Sequence, residues 1–106
     1  MITILPDEDT NNSTIILKAR DNGQELGYIA FNIVDNKSLL VKLYNKDSDN
    51  IIADALLKAA FSYLLNRDIS IFESYEQIET LKKFNCKYDN NKCFVDLNNI
   101  NLKCSH

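Results

Sequence analysis

Glycine is scarce in this sequence of 106 residues, which contains only Gly23 and Gly27. The chain after Gly27 therefore has no glycine-rich loop of the kind that brings backbone N–H groups close to a phosphate. Histidine occurs once, as His106, and three cysteines without metal-like spacing are present: Cys86, Cys93 and Cys104. We therefore expect no metal site, and thiols that stay reduced.

Long apolar runs and clusters of positive charge are also missing. No stretch reaches membrane-spanning length, and the segment from Met1 to Pro6 lacks the basic start of a signal peptide. The net charge is −3, the isoelectric point is about 5.0, and the longest basic run is Lys82-Lys83. These features argue against nucleic-acid and membrane partners, and we expect a cytoplasmic protein.

The length and the apolar content of 45% are those of an ordinary globular protein. They predict a single domain over residues 1–106, with a core at about 14–97 and a weakly ordered tail at 98–106. Alternation of apolar and polar residues predicts four strands in the first half. These strands are Ile2–Leu5, Thr14–Arg20, Glu25–Val34 and Leu39–Tyr44.

Turn residues separate the predicted strands. Asn22-Gly23 predicts a type I′ hairpin turn, because both residues tolerate positive φ, and the chain turns again at Asp35–Ser38. Gly27 lies near the start of its strand, which indicates a bulge or a close approach of another backbone segment. In the fourth strand, the alternation predicts one buried face made of Leu39, Val41 and Leu43.

The second half begins with a helix that Ser48 or Asp49 can cap and that is apolar on most sides. A short buried strand is predicted at Ile69–Phe72. Ser74 to Gln77 has the pattern of a capping box, which predicts a second helix to about Phe84. The chain then forms a hairpin of two strands, Cys86–Tyr88 and Cys93–Leu97.

The predicted order β-β-β-β-α-β-α-β-β indicates an α+β domain with a mixed, mostly antiparallel sheet. Its β-α-β segment from Leu39 to Phe72 implies a right-handed crossover between two parallel strands. Ligands bind in the crevice at the carboxyl ends of such strands. Tyr44, Glu73 and Tyr75 lie at those ends, and we regard them as candidate catalytic residues.

This order, together with particular segments, resembles the GNAT superfamily of N-acetyltransferases. In that family a strand leads into a loop of the form R/Q-x-x-G-x-G/A and then a helix. Here Ser48 to Ala53 occupies the loop, and Asp54 to Ala59 continues as the family helix does. The resemblance continues from Thr80 to Cys86 and then into Phe94 to Leu97. It covers about Leu26 to Leu97.

The resemblance implies an acyl-CoA N-acyltransferase fold, with acetyl-CoA as a substrate. It implies that a backbone N–H at Leu43 or Tyr44 serves as the oxyanion donor. It also implies that the loop and the helix start hold the phosphates of coenzyme A. The implied acyl-CoA-binding residues are Leu43, Tyr44, Ser48, Asp49, Asn50, Ile51, Ile52 and Ala53.

The sequence also departs from the family pattern. Ser48 replaces the basic or amide residue of the loop, Ile51 replaces the first glycine, and Ala53 is the tolerated variant of the second. Leu81 stands where many members have a catalytic tyrosine. The two helices that usually follow the first family strand have no room between Pro6 and Ser13.

Two functions follow from this mixture of agreement and departure. The first is a divergent N-acetyltransferase that uses acetyl-CoA on a small amine or a protein terminus. The second is a non-catalytic module of the same fold that binds a ligand or associates with proteins, including a second copy of itself as a homodimer. The segment from Ser48 to Ala53 can accordingly be a modified acyl-CoA loop or an ordinary capped helix start. We interpret Cys86 and Cys93 as structural thiols that face each other across the last hairpin.

Overall fold

The computed structural model describes residues 2–7, 14–46, 50–76, 79–84, 86–89 and 91–100. These residues form a seven-stranded mixed sheet in the order β1-β2-β3-β4-β5-β7-β6, with one long helix, α1. The elements are β1 (Ile2–Pro6), β2 (Thr14–Asp21), β3 (Gln24–Val34), β4 (Lys37–Asn45), α1 (Asn50–Leu65), β5 (Ile71–Ser74), β6 (Lys87–Asp89) and β7 (Lys92–Asp96).

The topology confirms the predicted α+β class. All neighbouring strands are antiparallel except β4 and β5, which are parallel and are connected through α1. β1 extends one residue further than expected, because Pro6 pairs with Leu17. An edge strand tolerates proline, since its outer side needs no N–H donor. The division into a core at 14–97 and a tail at 98–106 stays a prediction, and residues 101–106 lie outside the described residues.

The first hairpin turn of the meander has the predicted type I′ geometry, and the second, predicted only as a turn, has the same geometry. Asn22 and Gly23 have φ values of 52° and 84°, and Asp35 and Asn36 have φ values of 54° and 62°. Two successive residues with positive φ make a type I′ turn, whose twist matches that of the strands it joins. Short polar residues at these four positions therefore determine where β2, β3 and β4 reverse direction.

Two bulges interrupt the meander. Leu26 is an extra residue in β3, because Ala19 pairs with Gly27 and Arg20 pairs with Glu25. The bulge predicted near Gly27 is therefore confirmed. A Cβ atom built on Gly27 would also collide with the backbone carbonyl oxygen of Tyr44, so the close approach predicted there is confirmed as well.

The second bulge corrects the predicted face of β4. Ala30 pairs with Lys42 and Phe31 pairs with Leu40, which leaves Val41 as the extra residue. Leu40 is buried and Val41 is 51% exposed, so the prediction that Leu39, Val41 and Leu43 share a buried face is wrong. The extra residue reverses the alternation of side chains within the strand.

Helix α1 covers one face of the sheet with a wide apolar surface. Seven of its sixteen residues are buried, namely Ile52, Ala53, Leu56, Leu57, Ala60, Phe61 and Leu64. The helix ends at Leu65 and is followed by a turn that closes at a left-handed residue, Asp68, with a φ of 61°, and Ile69 donates its backbone N–H to the carbonyl oxygen of Leu64 at 3.0 Å. Within the described ranges, no helix is long and apolar enough to span a bilayer.

The region after α1 differs from the prediction in two ways. The fifth strand begins at Ile71 instead of Ile69, because the helix termination occupies the intervening residues. The predicted second α-helix is a short 3₁₀ helix, Glu79–Phe84. The Ser74 hydroxyl accepts a hydrogen bond from the N–H of Glu76 at 3.1 Å, which forms a local turn in place of a helix cap. Gln77 lies outside the described residues.

The two faces of the sheet have different environments. On the α1 side, Phe61 packs edge-to-face on Phe72 and on Phe84, with ring centroids 5.1 and 5.0 Å apart. On the opposite face, which we call the open face, Ala30 is the one buried side chain among the residues that the structure describes. The core therefore lies between the sheet, α1 and the 3₁₀ helix, and the open face remains accessible.

We expect Gly27→Ala to lower the free energy of unfolding by about 1–3 kcal/mol, because the new methyl group meets a backbone atom that cannot rotate away. Urea unfolding of the purified protein measures this change. Gly23→Asn is the control for steric contact, because Gly23 has open space around its Cα and the change adds only the strain of a side chain at positive φ, which asparagine bears better than most residues. Equal stability of Gly27→Ala and the unmodified protein would contradict the close approach.

Candidate functional site

β4 and β5 diverge soon after they meet. They pair at only two positions, Ser38 with Phe72 and Leu39 with Glu73. The buried Ser38 hydroxyl strengthens this contact by donating a hydrogen bond of 2.8 Å to the carbonyl oxygen of Ile71. Beyond it, β4 continues through the bulge at Val41, whereas β5 ends at Ser74. The carboxyl ends of the parallel strands are therefore unpaired with each other beyond this contact, and we call the region between them the fork.

Helix α1 begins soon after the carboxyl end of β4. The first four backbone N–H groups of an α-helix have no acceptor within the helix, and the helix dipole makes that end positive. In α1 these groups belong to Asn50, Ile51, Ile52 and Ala53. Ile52 and Ala53 are buried, whereas the Ile51 side chain is 72% exposed. Two of the predicted acyl-CoA-binding residues, Ser48 and Asp49, lie outside the described residues.

Leu43 and Tyr44 lie beyond the bulge, on the part of β4 that forms one side of the fork. Leu43 is half-buried against the core, and Tyr44 is 39% exposed on the open face. The Tyr44 ring packs against Tyr28 of β3 with ring centroids 5.5 Å apart. Five residues of strand, about 16 Å, separate Tyr44 from Leu39, which is the partner of Glu73. The structure therefore does not bring Tyr44 next to Glu73.

Glu73 lies at the base of the fork on the open face. Its neighbours in the row across the sheet are Leu39 of β4 and Phe94 of β7. Its carboxylate is 2.8 Å from the Lys92 ammonium group, and its side chain is only 17% exposed. The same ammonium group lies 5.8 Å from the centre of the Tyr75 ring, whose residue is 66% exposed. Glu73 and Tyr75 are thus brought together around Lys92.

Lys92 is a member of this site that the sequence analysis did not identify. It belongs to the final hairpin, 19 positions after Glu73, and reaches Glu73 because β7 lies beside β5. The predicted final hairpin was not enough to identify Lys92 as a neighbour of Glu73. It did not say which strand of that hairpin pairs with β5.

The cysteines are not arranged for nucleophilic chemistry. Cys93 is 2% exposed, and burial, together with the neighbouring Cys86 thiol, raises the pKa of Cys93 to about 11. A thiol with so high a pKa carries almost no thiolate near neutral pH. The two thiols interact, which agrees with a structural role, but Tyr88 is the residue opposite Cys93, so Cys86 does not directly face Cys93 across the hairpin as predicted. Across the described part of the chain, no group of three or more His, Cys, Asp or Glu side chains is placed to hold a metal ion.

Comparison with known proteins identifies the fold. The PaiA N-acetyltransferase of Thermoplasma acidophilum, solved with coenzyme A, superposes with a TM-score of 0.65 at 21% identity. The ribosomal-protein-S18-alanine N-acetyltransferase of Escherichia coli has a TM-score of 0.71 at 8% identity over 83% of this chain and 72% of its own. A provisionally assigned acyl-CoA N-acyltransferase of Klebsiella pneumoniae has a TM-score of 0.71 at 13% identity over 92% of this chain and 98% of its own.

These likenesses define the chain as having the GNAT N-acyltransferase fold, which confirms the fold predicted from the sequence. The superposition on PaiA covers 79% of this chain. It spans only 61% of the length of PaiA. No protein-family model matches the sequence, and no curated protein does.

We expect Cys93 to resist alkylation by iodoacetamide at pH 8 while the protein is folded, because its thiol is buried and protonated. Unfolding in urea should expose it and restore its ordinary reactivity. Mass spectrometry of tryptic peptides measures both states, since cleavage after Lys87 and Lys92 separates Cys86 from Cys93. Rapid labelling of Cys93 in the folded protein would show that the last hairpin opens readily.

Proposed function

We propose that this protein is an acyl-CoA-dependent N-acyltransferase. The observation that supports the proposal most directly is the fork, in which a bulged β4 separates from β5 next to the start of a long helix. The PaiA structure of the same fold contains coenzyme A. A Brucella melitensis GNAT acetyltransferase, with a TM-score of 0.68, contains acetyl-CoA.

The residues around the fork fit an acyl-CoA substrate. The start of α1, where Asn50 and Ile51 are exposed and Ile52 and Ala53 are buried, presents the positive end of the helix dipole to phosphate oxygens. A backbone N–H at the bulge, near Val41, is our candidate donor to the carbonyl oxygen of a thioester, because Leu43 and Tyr44, which the resemblance implied, lie four and five residues beyond Leu39, the partner of Glu73. Bound acyl-CoA would supply the acyl group in activated form.

Glu73 is our candidate for the group that removes a proton from the acceptor amine. It is the acidic side chain at the base of the fork, and it lies on the open face, from which an acceptor can approach. An ammonium acceptor loses one proton, and its nitrogen then forms a bond to the acyl carbon as the carbon–sulfur bond breaks. Its second proton goes to Glu73 and then to solvent, while the leaving thiolate is protonated to a thiol.

One observation favours the alternative of a non-catalytic module. The branched side chain of Ile51 projects from the first turn of α1, where the family has glycine and where phosphates would approach. Under this alternative the fold is retained for association with a protein or a second copy, with the open face as the accessible surface. Self-association stays a prediction under either function.

We expect coenzyme A at up to about 1 mM to shift the amide resonances of 43–46 and 50–53, and to leave those of β1 unchanged. Ile51→Asp should weaken binding about fivefold by adding negative charge, although an acidic residue at a helix start favours folding. Ile51→Ala is the matched control and should bind at least as tightly. If no resonance of the fork moves, the acyltransferase proposal is wrong and the non-catalytic module is favoured.

The measurement uses a small amine that the unmodified protein acetylates. We expect Glu73→Gln to lower the rate of acetyl transfer to this amine about 100-fold or more, because glutamine cannot accept the proton. The affinity for coenzyme A, measured by the same amide shifts, should be unchanged in this variant. Glu79→Gln is the control, since Glu79 is an exposed acid on the 3₁₀ helix, away from the open face. Undiminished transfer by Glu73→Gln would remove Glu73 from the mechanism.

A further inference from the structure

A groove runs along the open face on both sides of Glu73. Two adjoining depressions of about 320 and 300 Å³ form it, and both are lined by Lys37 and Glu73. The first also contains Ile71, Lys92 and Phe94, and the second continues to Asn32, Val34, Asp35, Ser38 and Leu39. We call this surface the acceptor groove. Its volume suits a small molecule better than a protein partner.

The charges of the acceptor groove are balanced and ordered. Glu73 lies between two lysines, with Lys92 towards the fork and Lys37 in the opposite direction, two residues before Leu39 on β4. Asp35 lies at the far end beyond Lys37. The groove thus contains two acids and two lysines, so its net charge is zero. A ligand that carries several charges of one sign would be repelled by the two lysines if it is cationic, or by the two acids if it is anionic.

The floor of the groove beside Glu73 is apolar. Ile71 and Phe94 both project onto the open face, flank Glu73 along β5 and across β7, and are half-buried. A ligand side chain lying over them would remove apolar surface from water. The groove therefore offers three separate contacts within a few residues: a carboxylate, a pair of ammonium groups and an apolar surface.

We propose that the acceptor groove binds an α-amino acid with an apolar side chain, and that the α-amino group is the acyl acceptor; this rests on the proposed acyltransferase function. The ligand ammonium group takes the place of Lys92 at Glu73, at the base of the fork. The ligand carboxylate pairs with Lys37, on the side of Glu73 away from the fork. The ligand side chain lies on Ile71 and Phe94.

The charges of an α-amino acid complement those of the groove better than the charges of two other classes of amine. A polyamine or an aminoglycoside would place further ammonium groups beside Lys37 and Lys92, where they repel, and a second ammonium group would meet an acid of the groove only by reaching past Lys37 to Asp35. A protein N-terminus lacks the adjacent free carboxylate, so Lys37 would gain no anionic partner from the ligand. The reaction balances as an α-ammonium acid plus an acyl thioester giving an N-acyl amino acid, a free thiol and one proton.

Four probes separate these classes: L-leucine, L-leucinamide, 3-methylbutylamine and spermidine. Amide resonances of the ¹⁵N-labelled protein are followed with each probe, with and without coenzyme A. We expect L-leucine to shift 37, 71, 73 and 94 and to bind at least about fivefold more tightly than 3-methylbutylamine, which lacks only the carboxylate. Lys37→Gln should abolish that preference. Lys83→Gln makes the same charge change on the 3₁₀ helix and should preserve it.

The outcomes separate this inference from the proposal on which it rests. Equal binding of L-leucine and 3-methylbutylamine, tighter binding of L-leucinamide or spermidine, or a preference that persists in Lys37→Gln would overturn the amino-acid assignment. Shifts at 50–53 with coenzyme A but none in the groove with L-leucine would leave the acyltransferase proposal intact and reject the groove. Groove shifts with L-leucine but none with coenzyme A would support the amino-acid site and reject acyl transfer.

Discussion

Two residue pairs, Ser38 with Phe72 and Leu39 with Glu73, join the four-stranded meander to the last three strands. Such a contact supplies few hydrogen bonds, each worth about 1 kcal/mol net. Burial of each large apolar side chain of α1 contributes about 1.5–3 kcal/mol, and this helix packs against both halves. The helix therefore holds the two parts of the sheet together, and the strands are free to separate beyond their short contact.

Concentrating the core on one side of the sheet has a chemical consequence. The α1 side is closed by aromatic packing of Phe61 with Phe72 and Phe84. The open face retains polar and charged side chains that are half-buried, such as Glu73 and Lys92. A half-buried ion pair is less screened than an exposed one, yet its members remain accessible to a ligand. The core thus stabilises the sheet while the other face keeps charged groups within reach of a ligand.

The shape of the fork does not depend on loop glycines. Its shape comes from a bulge at Val41 and from strand ends of unequal length, both of which are properties of the backbone. The N–H groups at the start of α1 exist whatever side chains follow them. Ile51 changes how closely a phosphate can approach them, but leaves the dipole of the helix in place. Substitutions in the first turn of α1 therefore change how closely a ligand can approach the helix start more than they change the backbone shape of the fork.

Local physical preferences made much of this fold predictable from the sequence alone. Asn22-Gly23 determined a type I′ turn, alternation placed Ile15, Leu17 and Ala19 inside, and the apolar run after Asn50 determined a buried helix. Tertiary structure decided the rest. The bulge at Val41 depends on the register with β3, and the 3₁₀ helix replaced an α-helix that a local pattern favoured. The pairing of Glu73 with Lys92 exists only because β7 lies beside β5, and strand order is a property of the whole packed sheet that no short sequence pattern encodes.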